Sequence, residues 1–151
     1  MSQITIIGIG NAFRGDDGVG LLIAQRLRAL ALPGVTILEQ SGEGAALVET
    51  WREAGRIIVV DAVSSGSTPG TIHRLEVTDQ PLPAHFSGGS THAFGLAEAV
   101  ELARQLDRLP PGLVIYGIEA RDFTLGTGLS PEAQAAAESL IKQLAQELSP
   151  P

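Results

Sequence analysis

The stretch ITIIGIGNAFRGDDGVGLLIAQRL, residues 4–27, decides how the rest of the chain is read. Ile4 to Ile9 is an apolar run bounded by glycine, the pattern of a strand buried on both faces of a parallel sheet. The run breaks into Gly8-Ile9-Gly10-Asn11. A helical pattern then takes over at residues 18–31, with Val19, Leu22, Ile23, Leu27 and Leu30 on one stripe and Arg26 and Arg28 off it. A strand, a glycine turn and a helix usually open a phosphate site. Here two carboxylates, Asp16 and Asp17, stand where a phosphate would sit, and both would repel it. The dinucleotide fingerprint is also incomplete, because its third glycine would fall at position 13 and Phe13 stands there. Paired oxygen donors suit a divalent cation instead.

Outward from this unit the pattern repeats. VTILEQ (35–40) reads as a second strand, residues 44–54 as a short helix through Leu47, Val48 and Trp51, and RIIVVDAV (56–63) as a third strand. A turn at GSTPG (66–70) leads to TIHRLEV (71–77), an alternating strand with one solvated face, on which His73 is expected. Residues 78–90 read as a long polar loop, residues 92–106 as a helix through Leu96, Ala97, Val100 and Leu106, and GLVIYGIEA (112–120) as a buried strand. Ser130-Pro131-Glu132 opens the last helix, with an N-cap serine, proline at the first helical position and an acid in the first turn. Its stripe is Ala133, Ala137, Leu140, Ile141, Leu144 and Leu148. Alternating strands and helices predict a three-layer α/β/α sandwich around a mostly parallel sheet of about five strands. The chain is expected to be a single domain over residues 1–151.

Composition narrows the function. With 44% hydrophobic and 18% charged residues the chain is globular, and a net charge of −7 argues against nucleic acid or an anionic membrane as partner. No cysteine is present, which excludes a disulfide scaffold, a zinc–thiolate centre and a cysteine nucleophile. No basic leader precedes the first strand, and no apolar run approaches the ~20 residues of a membrane span, so a cytoplasmic location is expected.

In open α/β sheets, sites form beyond the C-terminal ends of strands where the strand order reverses. The residues delivered there are Asn11, Asp16 and Asp17 after the first strand, Asp61 at the end of the third, Glu119 at the end of the fifth, and His92 at a helix start. If the first and third strands are neighbours, Asp17 and Asp61 face each other. Each residue also has a plainer reading. Asp16 is expected to be an N-cap, Asp61 a structural hydrogen-bond acceptor, His92 a helix-start cap, and Glu119 either a site wall or a buried acceptor. His85, in the long loop, has no assigned role. No Gly-x-Ser-x-Gly elbow is present to support a serine hydrolase.

Four blocks, GIGNAFRGDDGVG, IIVVDAV, STHAFGLAEAVELA and VIYGIEARDFTLGTGLSPEAQ, together resemble the [NiFe]-hydrogenase maturation endopeptidases in order and spacing, over nearly the whole chain. The resemblance implies a cytoplasmic endopeptidase that removes a C-terminal extension from the hydrogenase large-subunit precursor after nickel insertion. It places the family's metal-binding and catalytic set on Asp17, Asp61 and His92. No permanently bound cofactor is implied, because the nickel arrives on the precursor. Asp17 stands where the family often has glutamate, Ala120 where it often has proline, and Glu39-Gln40-Ser41-Gly42 where Asp-Gly-Gly-Thr is common; the last segment is expected to line the substrate groove. The metal could polarise the scissile carbonyl or activate a bound water, or a carboxylate could act as base with nickel as the recognition handle. Two other readings stay open: a non-hydrolytic nickel chaperone or sensor, and a flavodoxin-like nucleotide module.

Overall fold

The computed structural model describes residues 3–52, 55–77 and 96–150. Five strands, β1 (Ile4–Ile9), β2 (Val35–Gln40), β3 (Arg56–Val63), β4 (Ile72–Glu76) and β5 (Gly112–Glu119), form one sheet in the order β2-β1-β3-β5-β4. All pairings are parallel except β4 against β5. The helices are α1 (Val19–Ala29), α2 (Gly44–Trp51), α3 (Leu96–Gln105) and α4 (Pro131–Leu148), and a 3-10 turn at Gly15–Gly18 leads into α1. This is the expected α/β sandwich.

Strand alternation sorts the core into two layers. Ile6, Ile58, Val60, Val114 and Tyr116 pack with Val19, Ile23 and Leu27 of α1 and Ala133, Ala137, Leu140 and Leu144 of α4. On the other face Ile7, Ile57, Val59, Leu113 and Ile115 pack with Leu47 and Trp51 of α2 and Leu96 and Val100 of α3. The three central strands are therefore apolar on both sides, as a sheet covered by helices requires.

The glycines of the opening stretch serve packing. A Cβ on Gly8 would lie 2.2 Å from the Gly20 carbonyl oxygen, and one on Gly20 would lie 2.5 Å from the carbonyl oxygens of Ile9 and Val60. The first turn of α1 thus rests on the backbones of β1 and β3, an approach only glycine allows.

Helix ends differ from the sequence pattern. Leu30 (49% exposed) and Leu106 (48%) fall on the expected stripes but lie past the last turns of α1 and α3. Ala31 and Asp107 take positive φ angles of 49° and 57°, and Arg108 donates its amide to the Ala103 carbonyl at 2.8 Å, closing α3 with a left-handed cap. The helix expected over 44–54 ends at Trp51. The long loop at 78–90 and the expected helix start at 92 lie outside the described residues. Ser130 caps α4 as predicted, accepting the Ala133 amide at 3.2 Å. Among the described residues no helix is long and apolar enough to cross a membrane.

Candidate active site

The strand order reverses between β1 and β3: the chain leaves β1 for β2 on one side, then returns to place β3 on the other. Parallel registers such as Gly8 opposite Val60 put the C-terminal ends of these strands side by side. Asp17, on the 3-10 turn that follows β1, is 9% exposed, and Asp61 is half-buried near the end of β3. Asp61 shares the alternation of Ile57, Val59 and Val63, and so faces the α2/α3 layer.

The loop that carries Asp17 is tightly folded. Asn11 donates its amide to the Asp17 carbonyl (3.2 Å), Asp17 donates to the Arg14 carbonyl (3.1 Å), and the Asn11 side chain accepts the Phe13 amide (2.9 Å). A Cβ on Gly10 would meet the Asp17 carbonyl oxygen at 1.8 Å, so this backbone crosses directly over β1. Burial pushes the Asp61 carboxyl well above the usual aspartate range, and the negative charge of Asp17 pushes it further. A hydrogen bond from the Ala62 amide (2.8 Å) opposes them without prevailing. The two carboxylates feel each other across the crevice, an arrangement that a cation relieves.

His92, the expected third member, and His85 lie outside the described residues. Among the described residues no group of three His, Asp or Glu side chains is placed to hold a metal. The described donor set is therefore the pair of aspartates, both hard oxygen ligands suited to a divalent ion.

Asp16 has a different role from the expected N-cap. No side-chain cap is present at the 3-10 turn or at α1. The Asp16 carboxylate is fully buried and turned towards the segment between β5 and α4. It accepts the amides of Arg121 (2.8 Å), Asp122 (3.3 Å) and Ser130 (2.7 Å) and the Ser130 hydroxyl (2.8 Å). In return the Asp16 amide donates to the Asp122 carbonyl (2.8 Å). One residue of the acidic pair braces the turn, and its neighbour is presented at the crevice.

Glu119 is the buried acceptor of its two alternatives. It is 2% exposed and accepts the Ser65 amide (2.8 Å) and the Ser65 hydroxyl, with His73 Nε2 at 3.2 Å. Burial pushes its pKa up, but the bonds from Ser65 and His73 outweigh that and hold the carboxyl below the usual glutamate range. His73 does not occupy a solvated face: its side chain is only 17% exposed. It stands opposite Gly117, which also stands opposite Asp61, so both side chains share one face of the sheet. Period-two alternation with Leu75, which packs into the same layer, was the signal for its burial.

Residues 22–147 match the hydrogenase maturation protease family. That span takes in Asp61 and begins after Asp17. The chain is 36% identical over 127 residues to the hydrogenase expression/formation protein HupD of Bradyrhizobium diazoefficiens, covering 81% of this chain and 65% of that protein's length. It is 30% identical over 146 residues to the hydrogenase 2 maturation protease of Escherichia coli, covering 94% of this chain and 88% of the relative. Among solved structures it is similar to the hydrogenase maturating endopeptidase HybD of Escherichia coli, with TM-score 0.79 and 26% identity over 97% of this chain and 91% of that one. A solution structure of an Escherichia coli endopeptidase gives TM-score 0.81 and 29% identity, again over 97% and 91%. With the fold, the crevice at the strand-order reversal and these likenesses in agreement, the chain belongs to the hydrogenase maturation protease family, a family of endopeptidases.

Proposed function

We propose that this chain removes the C-terminal extension of a [NiFe]-hydrogenase large-subunit precursor in the cytoplasm after nickel has been inserted. Asp17, Asp61 and His92 meet the nickel that the precursor carries. The observation that supports this most is the placement of Asp17 and Asp61 at the strand-order reversal, close enough for one charge to raise the pKa of the other. Two mutually repelling carboxylates are poorly suited to a phosphate or a bare peptide and well suited to a substrate that brings a cation. No resident cofactor is part of this reading. Nickel acts as the recognition handle, and its presence decides whether the precursor seats.

For the chemistry, a carboxylate of the pair takes the proton from the attacking water as its oxygen bonds to the scissile carbonyl carbon. The proton passes to the departing amine as the C–N bond breaks. Asp61, whose pKa is raised by burial and by the charge of Asp17, takes up that proton more readily than an ordinary aspartate would. The segment after β2, where Ser41 and Glu43 are exposed around Gly42 (φ 90°), stands at the same end of the sheet and contributes to the substrate groove.

Intact mass of the large-subunit precursor from the same source, incubated with this protein with and without prior nickel loading, tests the proposal. A discrete C-terminal mass loss only in the loaded sample is the expected result. Cleavage regardless of loading would leave a protease without the nickel checkpoint. Tight binding of loaded precursor with no cleavage would favour the chaperone reading.

A further inference from the structure

The β1–β3 ladder ends one residue short of the site. Its last pair is Gly8 opposite Val60, whereas the β3–β5 ladder runs on through Asp61 opposite Gly117 to Val63 opposite Glu119. Asp61 is therefore held from the β5 side, and Asp17 stands on a turn that has already left β1. The ladder that would fix their separation directly stops before it reaches them.

Two buried carboxylates that the proposed chemistry does not use, Asp16 and Glu119, meet the exit of β5 on either side of this gap. Glu119 accepts the amide (2.8 Å) and the hydroxyl of Ser65, just past the end of β3, and has His73 Nε2 at 3.2 Å. The Ala120 amide donates to the Val63 carbonyl at 2.9 Å, so the end of β3 is fastened to β5 by both side chain and backbone. Immediately further along, Arg121 and Asp122 give their amides to the carboxylate of Asp16, the neighbour of Asp17, and Asp122 takes the Asp16 amide in return. A Cβ on Gly15 would lie 2.5 Å from the Asp122 carbonyl oxygen, so the turn rests directly on this segment. The stretch Gly117–Asp122 thus holds the strand of Asp61 at one end and the turn of Asp17 at the other.

A buried carboxylate is tolerated only when several donors satisfy it, and both of these are satisfied by residues distant in sequence. Each of them secures one half of the reacting pair to the same short length of backbone.

We infer that Asp16 and Glu119 are positioning residues that together set the separation of Asp17 from Asp61, with the exit of β5 as their common frame. The inference rests on the proposed function and deepens it by naming what holds the pair at the spacing that the substrate-borne cation needs. Opening either end of this bracket releases the spacing, and a displacement of about 1 Å costs up to about a hundredfold in rate. Once one end is open, opening the other has little left to release. Fold stability behaves differently. The bonds at Asp16 and those at Glu119 share no partner, so their contributions to stability add.

The test is a double-mutant cycle on Asp16→Asn, Glu119→Ala and the double variant. Each is followed by urea denaturation and by steady-state cleavage of nickel-loaded precursor at a temperature where circular dichroism shows it folded. Each single variant is expected to lower kcat/KM about tenfold or more, with the double variant no more than about twofold below the less active single, while the stability losses add. Glu119→Gln is expected to restore most of the activity, because its carbonyl accepts the Ser65 amide and its NH2 group donates to the Ser65 hydroxyl. A crystal structure of Glu119→Ala is expected to show Asp61 displaced relative to Asp17. A folded Glu119→Ala with kcat/KM within about twofold of the parent, activity losses that multiply in the double variant, or an unchanged separation of Asp17 and Asp61 each overturns the inference and leaves the two acids with roles in folding alone. If Glu119→Ala does not fold, Ser65→Ala, which deletes only the hydroxyl, takes its place in the cycle and in the crystal and is read in the same way. No cleavage by the wild-type protein overturns the proposed function, and the separation in the crystal then decides the bracket by itself.

Discussion

Replacing Asp16 by alanine removes the acceptor for three backbone amides and one hydroxyl that come from residues more than a hundred positions away. Asp16 itself is fully buried and the bonds it accepts are partly buried, so the amides of Arg121, Asp122 and Ser130 lose their partner with only partial access to water. Each unsatisfied buried donor costs about 1–3 kcal/mol. Water entering the space left by the carboxylate offsets part of this, which leaves a net loss of roughly 3–5 kcal/mol. That is a large share of a domain stability of about 5–15 kcal/mol. For a chain of this length it lowers Tm by roughly 6–20 °C at about 2–4 °C per kcal/mol.

Asparagine tests the direction of the bonds as well as their number. Oδ2 of Asp16 accepts three of the four bonds and Oδ1 accepts one, from the Ser130 amide. In Asp16→Asn the side-chain amide therefore settles with its nitrogen at the Oδ1 position, where two donors then face each other. The expected loss is about 1–3 kcal/mol, smaller than for alanine. The assay is urea denaturation followed by Trp51, the only tryptophan, which is 1% exposed on the opposite layer and so reports global unfolding. A loss below about 1 kcal/mol for Asp16→Ala, or a larger loss for asparagine than for alanine, would refute the bracing role.

Other outcomes follow from the same geometry. Asp61→Asn is expected to stabilise the free chain while ending precursor processing. An unfolded aspartate titrates near about 3.9, whereas folded Asp61 holds its proton more tightly, so the native state of the parent loses stability as pH rises through and above that value. The variant lacks this loss, so the two midpoints diverge with rising pH until folded Asp61 has ionised; parallel curves would contradict the shift. Gly20→Ala forces a methyl group to within 2.5 Å of two carbonyl oxygens and is expected to cost about 3 kcal/mol or more; a midpoint within about 0.5 kcal/mol of the parent would show that α1 moves aside freely. Asp61→Ala and His92→Ala are expected to abolish processing with the fold retained, as judged by circular dichroism and precursor mass, and normal cleavage by either would remove it from the site. Asp17→Asn is expected to reduce processing more than Asp16→Asn at temperatures well below unfolding; the reverse order would mean that the reacting carboxylate is Asp16.

What could be read in advance was what is local. Ile4–Ile9, Arg56–Val63 and the run beginning at Gly112 are strands because they are continuously apolar and short, and α4 starts where its cap, proline and acid say it does. The facing of Asp17 and Asp61 followed from the rule for strand-order reversal, since it needs only parallel strands with β1 and β3 adjacent. Asp16 could not be assigned this way. Its partners at 121, 122 and 130 carry no pattern that points back to position 16, and an aspartate before a helix has a commoner local explanation in the N-cap. His73 failed for another reason: one histidine in an alternating strand looks solvated until β4 is known to pack Leu75 inward on the same face. Leu30 and Leu106 show that a helical stripe persists in sequence after the backbone has turned away.

The opening stretch therefore keeps the outline of a phosphate-binding unit and uses its parts differently. Gly8 and Gly20 bring α1 onto the sheet, and Gly10 lets the Asp17 backbone cross β1; the glycines close the packing instead of cradling an anion. The backbone amide of Asp16, which an anion loop would aim at its ligand, is committed to Asp122, and the amide of Asp17 to Arg14. With those donors engaged, the electrostatics of the turn are set by side chains, and one of the two points away into its own brace. What remains at the crevice is a carboxylate held against a second carboxylate. In the free protein burial and the charge of Asp17 make Asp61 hold its proton more tightly, and positive charge arriving between them favours the ionised pair. On the proposed reading this is how an unloaded precursor is rejected. It brings the same chain but not the cation, and must dock against the pair without it. On that same reading the discrimination is carried by the charge pair itself, and it needs no contact that distinguishes one polypeptide from the other.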